Sequence, residues 1–291
     1  MTEQNMANLK EIRNRIASVK STMQITSAMK MVSAAKLKKA QDAITAMRPY
    51  ADKLTELLQS LSATLDADSG SKFSDQREVN KVLVVAITSN RGLCGAFNSN
   101  IIKESSSLAN EKYSGKQVDF VTIGKKGNDI LGKSFTIIEN NNGVFDDLTF
   151  DNVAEIAQKL MDLFTDGSYD KIEIVYNKFK NAATQIIMTE QFLPIVPVEA
   201  EGDTNLDYIF EPSKEKIVET LIPKSLKTQL YKAIRDSFAS EHGARMTAMH
   251  KATDNAGELR DSLTLTYNKA RQAAITNEIL EIVGGAEALN N

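Results

Sequence analysis

The residues best placed to do chemistry in this chain of 291 residues lie in one segment, TSNRGLCGAFN (residues 88–98). Gly92 and Gly95 stand where a dinucleotide-binding fold keeps its phosphate loop. Such a loop needs three spaced glycines, or a Gly-Lys-Ser/Thr ending, so that backbone N–H groups can reach the anion. Here Leu93 and Cys94 fill the intervening places, and the next apolar run ends Ile123-Gly124-Lys125-Lys126, with no acid for a ribose hydroxyl. The segment is therefore expected to be a tight strand-to-helix turn packed against a neighbouring helix or subunit, with no cofactor. Cys94 has no activating base nearby, because His242 and His250 both fall in the C-terminal segment. One cysteine forbids an internal disulfide and any multi-cysteine metal site, and two lone histidines do not make one either. No acid pair or Ser/His/Asp set stands out. The chain is read as non-catalytic; the rival reading is a nucleotide-binding α/β enzyme with a coiled-coil dimerisation arm.

Composition narrows the partners. With 25% charged and 42% hydrophobic residues, this is an ordinary folding chain rather than a disordered one. No apolar run approaches the ~18 residues of a membrane span, and the N-terminus lacks a signal peptide's apolar core, so a cytosol-like compartment is expected. The net charge of −3 is unevenly spread. Residues 9–39 hold eight basic side chains against Glu11 alone, whereas residues 139–211 hold fifteen acids against four lysines. Opposite fields on two parts of one molecule point to different partners for each. Nucleic acid is a poor candidate for the basic stretch, which has no aromatic residue for base stacking before Tyr50. Acidic protein segments fit it better.

The elements that position these residues are two long helices around an α/β segment. The first glycine is Gly70, and the only earlier proline is Pro49, so residues 3–61 read as one helix, bent near Pro49. At about 1.5 Å per residue it would span roughly 90 Å, against a diameter of about 50 Å for a globule of this length. Its apolar seam runs through Leu9, Ile12, Ile16, Val19 and Met23, and resumes at Leu37, Ala40, Ile44, Met47, Ala51, Leu54, Leu58 and Leu61. Between these stretches the same phase carries Thr26, Lys30 and Ser33, while Ile25, Met29 and Val32 sit one place aside. The stripe is expected to swerve there, marking contact with a third surface. The mate should be a C-terminal helix from about Ser213, a plausible cap, to Val283. Its face starts at Ile217, Leu221, Leu226, Leu230 and Ile234. A small-residue seam follows at Met249, Ala252, Ala256, Leu259, Leu263, Thr266, Ala270, Ala273, Asn277 and Leu280. Ile275, Ile279, Ile282 and Val283 make the tip apolar on most sides, so it needs a sleeve from another protein or must fold back on its own globular part.

Between the helices, residues 70–202 hold ten of the fourteen glycines, and the pattern alternates. Strands are expected at Lys81–Thr88, Val118–Ile123, Ser134–Glu139, Lys171–Tyr176 and Thr184–Leu193. The last two would form a hairpin across Asn177–Ala183. Helices are expected from the glycine turn to about Glu111, briefly after Ile123, and from Asp151, as N-cap, to Phe164. Alternating strand and helix implies a mostly parallel, Rossmann-like sheet. The expected fold class is α/β: a long antiparallel coiled coil of the terminal helices plus a small α/β domain, divided as 1–69, 70–212 and 213–291.

Five runs carry a resemblance. ITSAMKMVSAAKLKKAQ (25–41), SNRGLCGAFN (89–98), VYNKFKNAATQ (175–185), LDYIFEP (206–212) and the stretch from SEHGARMTAMHKATDNAG to EIVGGAEAL (240–289) are similar to the gamma subunits of F-type ATP synthases. The resemblance covers the whole chain. It implies a central rotor shaft whose terminal helices form an asymmetric antiparallel coiled coil inside a hexamer of alpha and beta subunits. The α/β domain would sit at the foot, touching the epsilon subunit and the ring of c subunits. Proton or sodium-ion flow would turn ring and shaft, and the shaft's unequal faces would drive the catalytic sites through different nucleotide affinities. By the same resemblance Arg271 and Gln272 match a pair that hydrogen-bonds a beta-subunit loop, Met29 and Arg245 match shaft positions tied to coupling, and Tyr208 and Glu211 match the foot region that meets the c ring. Asn90 stands where many members carry Asp, and the cysteine-bearing insertion of chloroplast members is missing, so thiol control is not expected. Without an import presequence, the cytoplasmic face of a bacterial inner membrane is the expected location.

Overall fold

The structure is a computed structural model, and it describes residues 2–62, 72–195 and 214–289. The chain divides into two compact units, one made of residues 33–245 and the other of residues 1–32 with 246–291. Two helices, α1 (Thr2–Ser62) and α5 (Lys214–Leu289), contribute to both. Pro49 lies inside α1, and Pro223, Gly243 and Gly257 lie inside α5, without ending either helix.

The larger unit is built on β1 (Lys81–Ile87), whose sequence KVLVVAI has no polar alternation because both of its faces are covered. Around it lie α2 (Phe97–Ser107), β2 (Gln117–Ile123), α3 (Lys125–Leu131), β3 (Ile137–Asn140), α4 (Phe150–Thr165), β4 (Lys171–Phe179) and β5 (Gln185–Leu193). The strand order is β3-β2-β1-β4-β5, parallel except for the antiparallel β4–β5 pair. Val82, Val84 and Ala86 face Ile101, Tyr113, Phe120 and Leu131, whereas Leu83, Val85 and Ile87 share a core with Ile156, Leu160 and Phe164 of α4 and with Leu226, Leu230 and Ile234 of α5. The sheet is thus sandwiched, and α5 is part of its core. The doubly covered parallel sheet expected from the alternating pattern is present, with two local corrections. Asn177 and Lys178 are ladder residues paired with Ile187 and Ile186, not turn formers, and the β4–β5 turn is closed later by the Asn181 carboxamide, which accepts from the N–H groups of Ala183 and Thr184. The N-cap of α4 is Thr149, whose hydroxyl accepts from the Asn152 N–H, so Asp151 sits within the first turn.

In the smaller unit the two helices run antiparallel, with Thr26 meeting Thr253 (2.8 Å between hydroxyls) and Met23 meeting Arg260. On α1 the packed positions keep one phase throughout. Leu9, Ile12, Ile16, Val19 and Met23 are half-buried, Thr26 is buried and Lys30 is half-buried. Farther along the same phase, in the larger unit, Ser33, Leu37, Ala40, Ile44, Ala51 and Leu54 are buried; the side chains of Leu58 and Leu61 lie outside those described. Of the expected swerve only Met29 takes part, half-buried like Lys30: packing otherwise stays on the polar residues, while Ile25 and Val32 are 60% and 58% exposed. On α5 the expected seam holds through Ala252, which is half-buried beside Thr253, and then shifts by one at alternate positions. Met249, Ala256, Leu263 and Ala270 are packed, but Leu259 is exposed and the half-buried places between them fall at Thr253, Arg260, Tyr267 and Ala274. Arginine can occupy a seam because its three-carbon stem covers apolar surface while the guanidinium reaches solvent or Asp261 (2.7 Å). Truncating Leu263 to Ala should lower stability by about 1–2 kcal/mol, and Leu259→Ala by less than about 0.5 kcal/mol. Urea unfolding of the two variants followed by circular dichroism checks this; equal losses would restore the original phase.

Candidate functional site

The strand-to-helix turn leaves the sheet at the carboxyl end of its central strand. Thr88 and Ser89 are buried, and the neighbouring β2–α3 turn closes on them: Gly127 N–H donates to the Thr88 hydroxyl at 2.9 Å, and a Cβ on Gly124 (φ 108°) would come within 2.3 Å of the Thr88 carbonyl oxygen. Only glycine fits there. Asn90 ties three turns together, accepting from the Lys125 N–H (3.0 Å) and donating to the Asn142 carbonyl (2.9 Å), a second bond that Asp at this place could not make. Within the turn, Asn98 accepts from Ser89 N–H at 2.9 Å and donates to the Cys94 sulfur at 3.2 Å, while the Ser89 hydroxyl donates to the Arg91 carbonyl at 2.7 Å. Leu93 is held in the left-handed region (φ 62°) with its side chain 64% exposed, beside Gly95 at φ 59°. A non-glycine residue there costs roughly 1–2 kcal/mol, so the surroundings impose the conformation.

Those surroundings are α5. The Arg245 guanidinium donates from Nη2 to the carbonyls of Arg91 (3.0 Å) and Gly92 (3.3 Å), and from Nε to Gly92 again (3.4 Å), while Nη1 pairs with Glu241 Oε1 at 2.5 Å. The Arg245 and Glu241 side chains are buried, whereas Arg91 is exposed and Gly92 half-buried. The polarity decides the chemistry of the turn: it presents carbonyl oxygens to a cation, the reverse of the N–H array that holds a phosphate. Nor is the thiol primed, since burial pushes the Cys94 pKa up despite its hydrogen bond with Ser89 and the nearby Arg245 charge. Burial also raises the Glu241 carboxyl, against the pull of Arg245, Lys36 and Arg91. His242 is 5% exposed, has no hydrogen bond at either ring nitrogen, and meets the Phe238 ring edge-on at 4.5 Å. Burial first, then the charges of Arg245 and Lys36, push its pKa down to about 4.

The expected site residues are thus distributed. Arg245 is buried in the larger unit; Met29 is half-buried on α1; Arg271 and Gln272 are exposed on α5; Tyr208 and Glu211 lie outside the described residues. Glu241, Ser89 and Asn98, which complete the Arg245 environment, were not anticipated. The Glu-x-x-x-Arg spacing in SEHGAR was a readable sign of an i,i+4 pair, but nothing in sequence shows which carbonyls an arginine will cap. Along the tip of α5, Ile275, Ile279, Leu280, Ile282 and Val283 are all exposed among the described residues.

Comparison with known proteins agrees with this architecture. The model of the ATP synthase family matches residues 8–289. The chain is 76% identical over 285 residues, covering 98% of this chain and 99% of the relative, to the ATP synthase gamma chain of Flavobacterium psychrophilum. The chain belongs to the ATP synthase gamma-chain family. Among solved structures it is similar to the central stalk and c-ring structure of the Tetrahymena thermophila mitochondrial ATP synthase (27% identity, TM-score 0.58, covering 78% of this chain and 99% of that one). It also shares its fold with a chain of the Euglena gracilis mitochondrial ATP synthase (23% identity, TM-score 0.70, 97% and 95% covered). Membership of the gamma-chain family removes the rival reading of a separate nucleotide-binding enzyme, in keeping with a turn whose carbonyls face a guanidinium.

The gamma-family chain should lose stability in acid through His242. In the unfolded chain the imidazole takes its proton near 6.5, but in the fold only near 4. The unfolded state therefore binds more protons between these values, and stability falls as pH drops through that window, by at most about 3 kcal/mol. Glu241, with its raised pKa, acts in the opposite sense and offsets part of this. Urea midpoints of the full chain measured at pH 6.5 and 4.5 should fall less for His242→Phe than for the natural chain; parallel declines would assign the acid sensitivity to other groups.

Proposed function

We propose that the chain is the central-stalk rotor of a proton- or sodium-translocating ATP synthase, coupling rotation of a c-subunit ring to changes at the catalytic sites of the alpha/beta hexamer while making and breaking no covalent bond itself. The observation that carries this reading is the bare apolar tip of α5. Five large aliphatic side chains between Ile275 and Val283 face outward, an arrangement that persists in water only when another protein surrounds it. Family membership supplies the hexamer as the sleeve. The exposed Arg271 and Gln272, one turn before Ile275, are its proposed beta-subunit contacts; an arginine suits that role because its planar fork holds a carboxylate through two bonds. Met29, on the helix whose off-seam Ile25 and Val32 stay uncovered, is a second coupling position, and Arg245 a third. The basic stripe of residues 9–39 suits acidic segments of the alpha and beta subunits.

In the same reading residues 70–212 form the foot, flanked by shaft segments 1–69 and 213–291. The foot meets the epsilon subunit and, through Tyr208 and Glu211, the c ring at the cytoplasmic face of a bacterial inner membrane. The rotor is peripheral: among the described residues no helix is long and apolar enough to cross a membrane. Coupling requires contacts that differ in energy between the states of each beta subunit, since equal contacts shift nothing.

Purified alone, the chain should hydrolyse no ATP; mixed with alpha and beta subunits it should co-assemble and restore coupled activity. Failure to co-assemble would sink the reading. Arg271→Ala combined with Gln272→Ala should reduce coupled ATP synthesis by roughly tenfold, the scale of one charge-assisted hydrogen bond, with unchanged helicity and melting temperature. A lowered melting temperature would make the pair structural instead.

A further inference from the structure

Arg245 is the last residue of the larger unit, and it is not available to a partner: three of its nitrogens are engaged inside the chain, on Glu241 and on the Arg91 and Gly92 carbonyls. Two further contacts fix the same turns of α5. The Ser240 hydroxyl donates to the Asn177 carbonyl of β4 at 2.9 Å, and a Cβ built on Gly243 would lie 3.2 Å from Ala182, so the helix approaches the β4–β5 turn as closely as backbones allow. Asn177 in turn donates to the Phe97 carbonyl at the start of α2. The central strand's exit, the first residue of α2 and the helix α5 are thereby held to one another by directional bonds rather than by apolar packing alone.

We infer that Arg245 acts as a torsional joint of the rotor, a positioning residue that locks α5 to the β1–α2 turn, so that rotation imposed on the α/β unit turns the helix without slip. This deepens the rotor reading and rests on it. Apolar packing resists displacement through shape alone, whereas a guanidinium seated on two carbonyls and a carboxylate adds bonds that are satisfied over a narrow range of angles. The exposed Leu93, held at φ 62° between those carbonyls and Gly95, shows that the turn is kept in a conformation it would not adopt unaided.

Cys94 provides a built-in reporter, because it is the chain's sole cysteine and is 1% exposed within the clamped turn. In Arg245→Ala, maleimide labelling of Cys94 should accelerate by at least about tenfold, as expected when a local opening replaces a closed state. Hydrogen exchange of β1 and β4 should stay at the natural level. Arg245→Lys, which retains the charge but not the fork, should fall between the two, and carries the measurement should the alanine variant fail to fold. In complexes with alpha and beta subunits on the c ring, ions pumped per ATP hydrolysed should drop roughly twofold or more for Arg245→Ala, and by less for the lysine variant. Unchanged labelling would show that Arg245 does not hold the turn. Faster labelling with an unchanged pumping ratio would reduce the clamp to a stability feature. Failure of the natural chain to assemble would strike the rotor reading instead, and the labelling result would still decide whether the clamp exists.

Discussion

A helix buried around almost its whole circumference must satisfy most of the polar side chains it carries, and α5 over 236–245 is buried at every residue but the half-buried Phe238. Most such segments are apolar; this one reads DSFASEHGAR. The solution is local. Ser240 finds a strand carbonyl, Glu241 and Arg245 find each other, and the rest of the guanidinium is spent on the carbonyls of a strand-to-helix turn. The Ser237 hydroxyl and both ring nitrogens of His242 obtain no hydrogen bond, and the imidazole stays neutral, its charge opposed by burial and by two neighbouring cations. The shape of the turn, the seating of α5 on the sheet and the neutrality of that histidine all follow from placing a charged, polar stretch in the interior.

One continuous helix also has to serve three environments in succession. From Ile222 to Ile234 α5 contributes large aliphatic side chains to the sheet core. From Met249 to Ala274 it keeps a narrow, half-buried seam against α1. Beyond that, its aliphatic side chains face outward. No single amphipathic pattern spans these demands, which is why the helix as a whole shows no dominant apolar face although each third of it is consistent. A family whose members work as a stalk inside a larger assembly needs such a gradient, from self-burial to burial by others.

This gradient explains what sequence could and could not reveal. Helix lengths, the central strand KVLVVAI and the parallel sheet were legible, because glycine spacing and unbroken apolar runs report backbone and burial directly. The seam of α1 was legible where it is apolar. Phase was lost wherever hydrophobicity and packing diverge: Arg260 packs and Leu259 does not, Thr26 packs and Ile25 does not. Reading the most apolar residue as the most buried presumes that a chain satisfies itself. At Leu259, Ile25 and Val32, all exposed, that presumption fails. The Arg245 environment was invisible for a different reason. Its acceptors are backbone carbonyls some 150 residues away, and carbonyls carry no sequence signal.

The charged joint also answers why evolution would tolerate a buried ion pair at this place. Desolvating Glu241 and Arg245 cancels most of their attraction, as the raised carboxyl pKa shows, so the pair contributes little net stability compared with a leucine and a methionine of similar volume. Its return is angular. Apolar side chains of that size would fill the space at several helix rotations of similar energy, whereas the fork of Arg245 meets the Arg91 and Gly92 carbonyls at one. A shaft that transmits rotation is limited by its softest connection rather than by its total stability. At the point where α5 leaves the α/β unit, a contact that is energetically neutral but rotationally exacting is therefore worth more than a stronger one that slides.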